Sequence, residues 1–134
     1  MPLAPLLTDD QASERARAVF ADIRQTRQSD YVNNIWRALA NDPAQLEITW
    51  AQLKQVMAPG ALDPLTKELI YLAVSAANAC DYCLHTHTHA ARAKGMTDAM
   101  YAELLQVIAL ASQTNRLAIA MQVPVDERYR EPPA

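Results

Sequence analysis

The chain has 134 residues, of which 51% are hydrophobic and 20% charged, and a formal net charge of −3. That length supports one domain with a core of its own, needing no disulfide or metal staple. The acidic balance argues against a nucleic-acid partner, which calls for a basic face. No run of about 18 apolar residues is present, which argues against a membrane span.

Only two glycines occur, and the wealth of alanine and leucine points to helices joined by short connections, not to hairpins with glycine turns. The opening MPLAPLLTDD lacks the basic start and long apolar stretch of a signal peptide, so a cytoplasmic location is expected. No repeat, low-complexity run or internal linker is visible, and residues 1–134 are expected to form a single domain.

Thr8 and Gln11 form a T-x-x-Q capping-box pattern ahead of a helix expected to run to about Gln25. Ala12, Ala16, Val19, Phe20 and Ile23 recur along it at helical spacing. Asp30 is a candidate cap for a short second helix through Ile35, Trp36 and Leu39, so N-terminal helices fill about 8–40. Asp42-Pro43 places a cap before a proline in the first helical position and opens a third helix through Leu46, Trp50, Leu53 and Met57. The turn APGAL, residues 58–62, ends it.

Asp63-Pro64 repeats the signal and opens the helix PLTKELIYLAVSAAN. A further helix follows and stops at Gly95, a residue suited to the position after a helix end. Thr97 then caps a long last helix reaching towards Met121. The tail, about 124–134, is rich in proline and mixed charge and is expected to be flexible. Nothing reads as a strand, so the fold class is all-α, a compact multi-helix domain.

Both cysteines and all three histidines fall in ten consecutive positions, Cys80 to His89. On a helix turning about 100° per residue from Cys80, Cys83 falls at roughly 300° and His87 at roughly 340°. These three share one stripe. His85 and His89 fall at roughly 140° and 180°, on the side that meets solvent or a neighbouring subunit. Cα atoms three apart on a helix lie about 5 Å from each other, within the usual disulfide span, so a Cys80–Cys83 bridge is feasible.

With Asn78 as cap, Cys80 would lie in the first helical turn, where free N–H groups and the macrodipole favour a thiolate. His87, four residues after Cys83, is placed to take that thiol's proton. Asp81 disfavours a thiolate, and its side chain is expected to point away. Glu68 opens a run with no other charge until Asp81. A carboxylate on such an apolar face needs a partner, and an imidazole is a good one, because the carboxylate fixes its tautomer. A plain first-turn acid, or a partner of a lysine elsewhere, are the other readings of Glu68. The residues thus suggest Glu68–His87–Cys83 as a proton relay, with Cys80 as a second redox sulfur.

The pattern E-x11-C-x-x-C-x-x-x-H, met by Glu68, Cys80, Cys83 and His87, resembles the alkylhydroperoxidase D-like branch of the carboxymuconolactone decarboxylase superfamily. The likeness covers roughly residues 40–122, including KGMTDAMYAELL after the cysteines. It implies an all-helical homo-oligomer, a trimer or hexamer, that reduces alkyl hydroperoxides without a cofactor or metal. It further implies Cys83 as the peroxide-attacking sulfur, Cys80 as the resolving one, and an external dithiol or lipoyl-bearing protein as reductant. One departure is visible. The founding peroxidase carries a histidine just before its second cysteine, where this chain has Tyr82. A phenol is no base at neutral pH, although it can hydrogen-bond a sulfur or a peroxide oxygen.

Three other readings compete. Cys80, Cys83 and His87, with Glu68 or water, could ligate zinc, but structural zinc sites usually draw on two knuckles and no second cysteine pair is present. The lactone decarboxylase side of the superfamily does not depend on a cysteine pair. A non-enzymatic redox sensor or oligomeric interaction module would form its disulfide slowly and change assembly.

Overall fold

The computed structural model describes residues 1–130. These hold six α-helices and one short 3-10 turn, with no strand. The chain divides into two compact units, Met1–Ala58 and the chain from Pro59 onward.

In the first unit, α1 (Glu14–Arg27) and α2 (Asn34–Leu39) pack on α3 (Pro43–Met57). The apolar stripe expected for α1 is buried, with Ala16, Phe20 and Ile23 fully enclosed against Leu46. Trp36 and Trp50 meet edge to face, their ring centroids 5.3 Å apart, a favoured arrangement for aromatic quadrupoles. Asp22 receives the Trp50 Nε1–H at 2.6 Å and also pairs with Lys54.

Two helix starts differ from the sequence expectation. Gln11 Oε1 does accept the Thr8 backbone N–H at 3.0 Å, but the Thr8 hydroxyl donates to the same oxygen at 3.1 Å. With its hydroxyl so engaged, Thr8 closes a turn, and α1 begins one turn later under Ser13, whose Oγ accepts from Ala16 N–H at 3.1 Å. Asp30 likewise does not cap α2. Its carbonyl accepts from Arg24 Nε at 2.9 Å, and the cap position falls to Asn33, whose side chain is taken by Arg27 instead of by a helical N–H. The Asp42-Pro43 start is as expected, with Asp42 Oδ1 accepting from Gln45 N–H at 3.2 Å.

In the second unit, α4 (Pro64–Ala77) packs on both α5 (Asp81–Ala93) and α6 (Asp98–Ala120). Asp63 caps α4 through Thr66, and Thr97 caps α6 through Met100 N–H at 3.1 Å. Leu72, Ala91 and Met96 are buried, and Leu65, Leu69, Leu84 and Leu104 pack around them. No residue of α6 is buried, and Val107, Leu110 and Ile119 stand well exposed.

The ends of α4 and α5 set the positions of the chemical side chains. Beyond α4, Ala79 takes a positive φ of 53°, and Ala79 N–H and Cys80 N–H return to the carbonyls of Ala76 and Ser75. This Schellman closure occupies the carbonyls of Ser75 and Ala76 at the end of α4 and delivers Cys80 directly to the start of α5. Beyond α5, Gly95 at φ 102° repeats the closure, with Met96 N–H on Ala91 carbonyl at 3.0 Å. Lys94 is thereby fixed at the helix end. The tail expected over 124–134 includes the 3-10 turn Glu127–Tyr129, and residues 131–134 lie outside the described residues.

Candidate active site

Cys80 is itself the cap of α5, correcting the expected cap at Asn78, which instead closes α4. The positive φ at Ala79 permits this, because it turns the chain within a single residue. Cys80 Sγ accepts the Cys83 backbone N–H at 3.3 Å, a place more often filled by a serine or aspartate oxygen. Cys80 and Cys83 are joined as a disulfide with their Cα atoms 5.3 Å apart. The spacing read from helical geometry therefore needs no backbone distortion to accept the bond.

His87 lies one helical turn beyond Cys83 on α5, and its Nδ1 meets Glu68 Oε2 of α4 at 2.7 Å. The Glu68 side chain is only 5% exposed and that of His87 16%. Glu68 Oε1 accepts from Lys94 Nζ at 2.9 Å. Each carboxylate oxygen thus has its own partner, which is what a buried carboxylate requires.

Burial alone would raise the Glu68 carboxyl, but the hydrogen bonds from His87 and Lys94 and the Lys94 charge outweigh it and hold the group below its ordinary 4.5. Ionised, Glu68 has only acceptors to offer, so the 2.7 Å contact requires the proton on His87 Nδ1. In the neutral ring Nε2 is then the basic nitrogen.

A carboxyl held lower in the folded than in the unfolded state stabilises the fold above its unfolded value. That contribution is lost as pH falls through the lower folded value. The melting-temperature advantage of wild type over Glu68→Gln is therefore expected to shrink on passing from neutral pH into the acid range. An advantage that stays constant across that range would contradict the Glu68 assignment.

Tyr71, one turn after Glu68 on α4, stacks on the His87 ring with centroids 3.6 Å apart and planes 18° from parallel. Neither Tyr71 nor Lys94 was singled out from the sequence as a site residue. Their signals were Tyr71 three residues after Glu68 and Lys94 seven after His87, each on its partner's helical face. The structure does show Glu68 serving two of its sequence readings, as a histidine partner and as a lysine partner.

Asp81, His85 and His89 face solvent. Asp81 turns outward, its side chain 92% exposed and 3.6 Å from His85 Nε2. His89 is exposed too, and Tyr82 is partly exposed in the first turn of α5. Among the described residues, no group of three or more His, Cys, Asp or Glu is arranged to hold a metal ion.

A family model for the carboxymuconolactone decarboxylase family matches residues 44–126, a stretch that includes Glu68, both cysteines and His87. The chain belongs to that family. Its fold is that of a crystal structure of the alkylhydroperoxidase AhpD core from Rhodospirillum rubrum ATCC 11170, with a TM-score of 0.94 and 60% identity, covering 98% of this chain and 99% of that one. Among curated proteins it is 34% identical over 98 residues to the alkyl hydroperoxide reductase AhpD of Solibacter usitatus (strain Ellin6076), covering 71% of this chain and 54% of the relative. It is 28% identical over 109 residues to a (R)-2-haloacid dehalogenase of Pseudomonas putida, covering 81% of this chain and 36% of the relative. The chain thus spans about half and about a third of the length of these two curated proteins.

Proposed function

We propose that the chain is a thiol-dependent peroxidase and disulfide oxidoreductase acting on alkyl hydroperoxides. The observation that carries this reading is the Cys80–Cys83 disulfide one helical turn from a histidine whose Nδ1 is held by a buried carboxylate. The 60% identity to the AhpD core supports it.

In this reading His87 Nε2 accepts the Cys83 proton, and the thiolate attacks the outer oxygen of the hydroperoxide. The O–O bond breaks, Cys83 becomes a sulfenic acid, and the departing alkoxide takes the proton from His87 as an alcohol. The Cys80 thiol then displaces hydroxide from the Cys83 sulfur, releasing water and forming the disulfide present in the structure. An external dithiol, of the lipoyl type, returns both thiols by exchange and leaves as its own disulfide. Cys80 is suited to that exchange, because its place at the start of α5 favours the thiolate as leaving group. Tyr82 is assigned an auxiliary hydrogen bond near the sulfurs.

A cytoplasmic setting suits a cysteine pair that must be re-reduced in every cycle. Among the described residues, no helix is long and apolar enough to cross a membrane. The lactone decarboxylase alternative leaves the cysteine pair without a task.

The working form is assigned as a homo-oligomer of three or six chains. The exposed apolar residues of α6, among them Val107 and Leu110, would cover one another between copies. Light scattering is expected to give three or six times 14.8 kDa, and a monomer would remove this part of the account.

The activity is tested by following cumene hydroperoxide loss with dihydrolipoamide as reductant. Turnover that requires the protein supports the reading. Loss no faster than with dihydrolipoamide alone defeats it.

A further inference from the structure

We propose that Lys94 is a positioning residue whose ammonium clamps Glu68 by Oε1 and leaves Oε2 to orient His87. The proposal rests on the peroxidase reading for its catalytic consequence, but not for the geometry.

Three observations support it. The Glu68 side chain is 5% exposed, and its two oxygens are divided between Lys94 Nζ at 2.9 Å and His87 Nδ1 at 2.7 Å. A carboxylate so enclosed is stable as an anion only with a compensating cation, and His87 cannot be that cation while its Nε2 is free to act as a base. Lys94 is the group that can, because its charge does not depend on the relay's proton.

The backbone also fixes where Lys94 stands. It ends α5, where Gly95 closes the Schellman turn, and Met96 is buried immediately beyond. Two turns of helix separate it from His87, so both side chains leave α5 on the side facing α4. The charged and titratable groups acting on Glu68 are Lys94 and His87, both from α5 and its end. The other helix packed on α4, α6, contributes no group that acts on it.

Loss of the ammonium leaves burial, which favours the protonated acid, opposed only by His87. Once protonated, Glu68 no longer demands the proton on Nδ1, and the ring loses its fixed tautomer. The lysine is thus assigned to keep Glu68 ionised and, through it, the His87 tautomer fixed.

The test uses full-length reduced protein with 15N-labelled histidine, in wild type, Lys94→Met and Lys94→Arg. Long-range 1H–15N correlations follow His87 across pH, with the exposed His85 and His89 as internal references. The lower midpoint that His87 reports, which follows Glu68 through their contact, is the quantity read. Lys94→Met is expected to raise that midpoint by about one pH unit, the usual scale for removing an adjacent opposite charge. Lys94→Arg is expected to restore it. Restoration by Lys94→Arg separates loss of the charge from mere loss of packing.

A midpoint unchanged in Lys94→Met overturns the proposal, and so does a midpoint displaced equally in both variants. If the midpoint moves and Lys94→Arg restores it, but wild type consumes no hydroperoxide, the lysine's role stands and the peroxidase reading falls.

Discussion

With Cys83→Ser, hydroperoxide consumption is expected to fall to the rate of the reductant alone, whereas Cys80→Ser is expected to complete one reduction and stop. The asymmetry follows from the helix. Cys83 is the sulfur one turn from His87 on α5, within reach of an imidazole four residues on. Cys80 sits at the cap, its Sγ turned to the Cys83 backbone N–H. Without Cys80, the Cys83 sulfenic acid has no neighbouring thiol to condense with. It then accumulates, or reacts slowly with external thiol. Quantifying alcohol formed per protein in a rapid-mixing experiment distinguishes the two variants, with one equivalent from Cys80→Ser and none from Cys83→Ser. Equal activity in both would remove the division of labour between the sulfurs.

His87→Ala is expected to lower the rate of the first thiol oxidation about 10²-fold at neutral pH, the ordinary contribution of a positioned acid–base group. Part of this comes from the thiol, since a free cysteine is only a few per cent thiolate at about pH 7. The rest comes from the departing alkoxide, which then takes its proton from water. Glu68→Gln is expected to cost less, because a glutamine oxygen can still accept the Nδ1 proton while the charge is lost. Combining the two should cost little more than His87→Ala alone, because both act through one imidazole. A full additive loss in the double variant, measured by single-turnover thiol oxidation, would show that Glu68 works by another route.

Much of this fold is written in local signals. The pairs Asp42-Pro43 and Asp63-Pro64, and Thr97, each supply a cap oxygen where a helix needs one, and the structure uses all three. The failures were also local. Thr8 gives its hydroxyl to Gln11, Asn33 gives its side chain to Arg27, and Ala79 adopts a left-handed backbone that short-range preference reserves for glycine or asparagine.

The candidate site shows the same division. The one-turn spacing of Cys83 and His87 follows from the period of one helix, so it was legible, whereas Cys80 stands at the cap just outside that period. That Glu68 needed a partner was also legible, from the uncharged run that follows it up to Asp81. That this partner set includes Lys94, and that Tyr71 stacks on His87, depends on how α4 and α5 lie against each other. Neither helix states that alone. Seven residues from His87 to Lys94 gives a shared face, but a lysine on a shared face is common, and only the buried carboxylate opposite gives it meaning.

The central claim is that Cys83 is the sulfur that meets the peroxide. It is tested most directly by adding one equivalent of cumene hydroperoxide to reduced Cys80→Ser and to reduced Cys83→Ser in the presence of dimedone, which traps sulfenic acids. Peptide mass spectrometry then locates the adduct. The account predicts rapid labelling of Cys83 in the first variant and none of Cys80 in the second. Labelling of Cys80 in Cys83→Ser, with Cys83 unlabelled in Cys80→Ser, would contradict it.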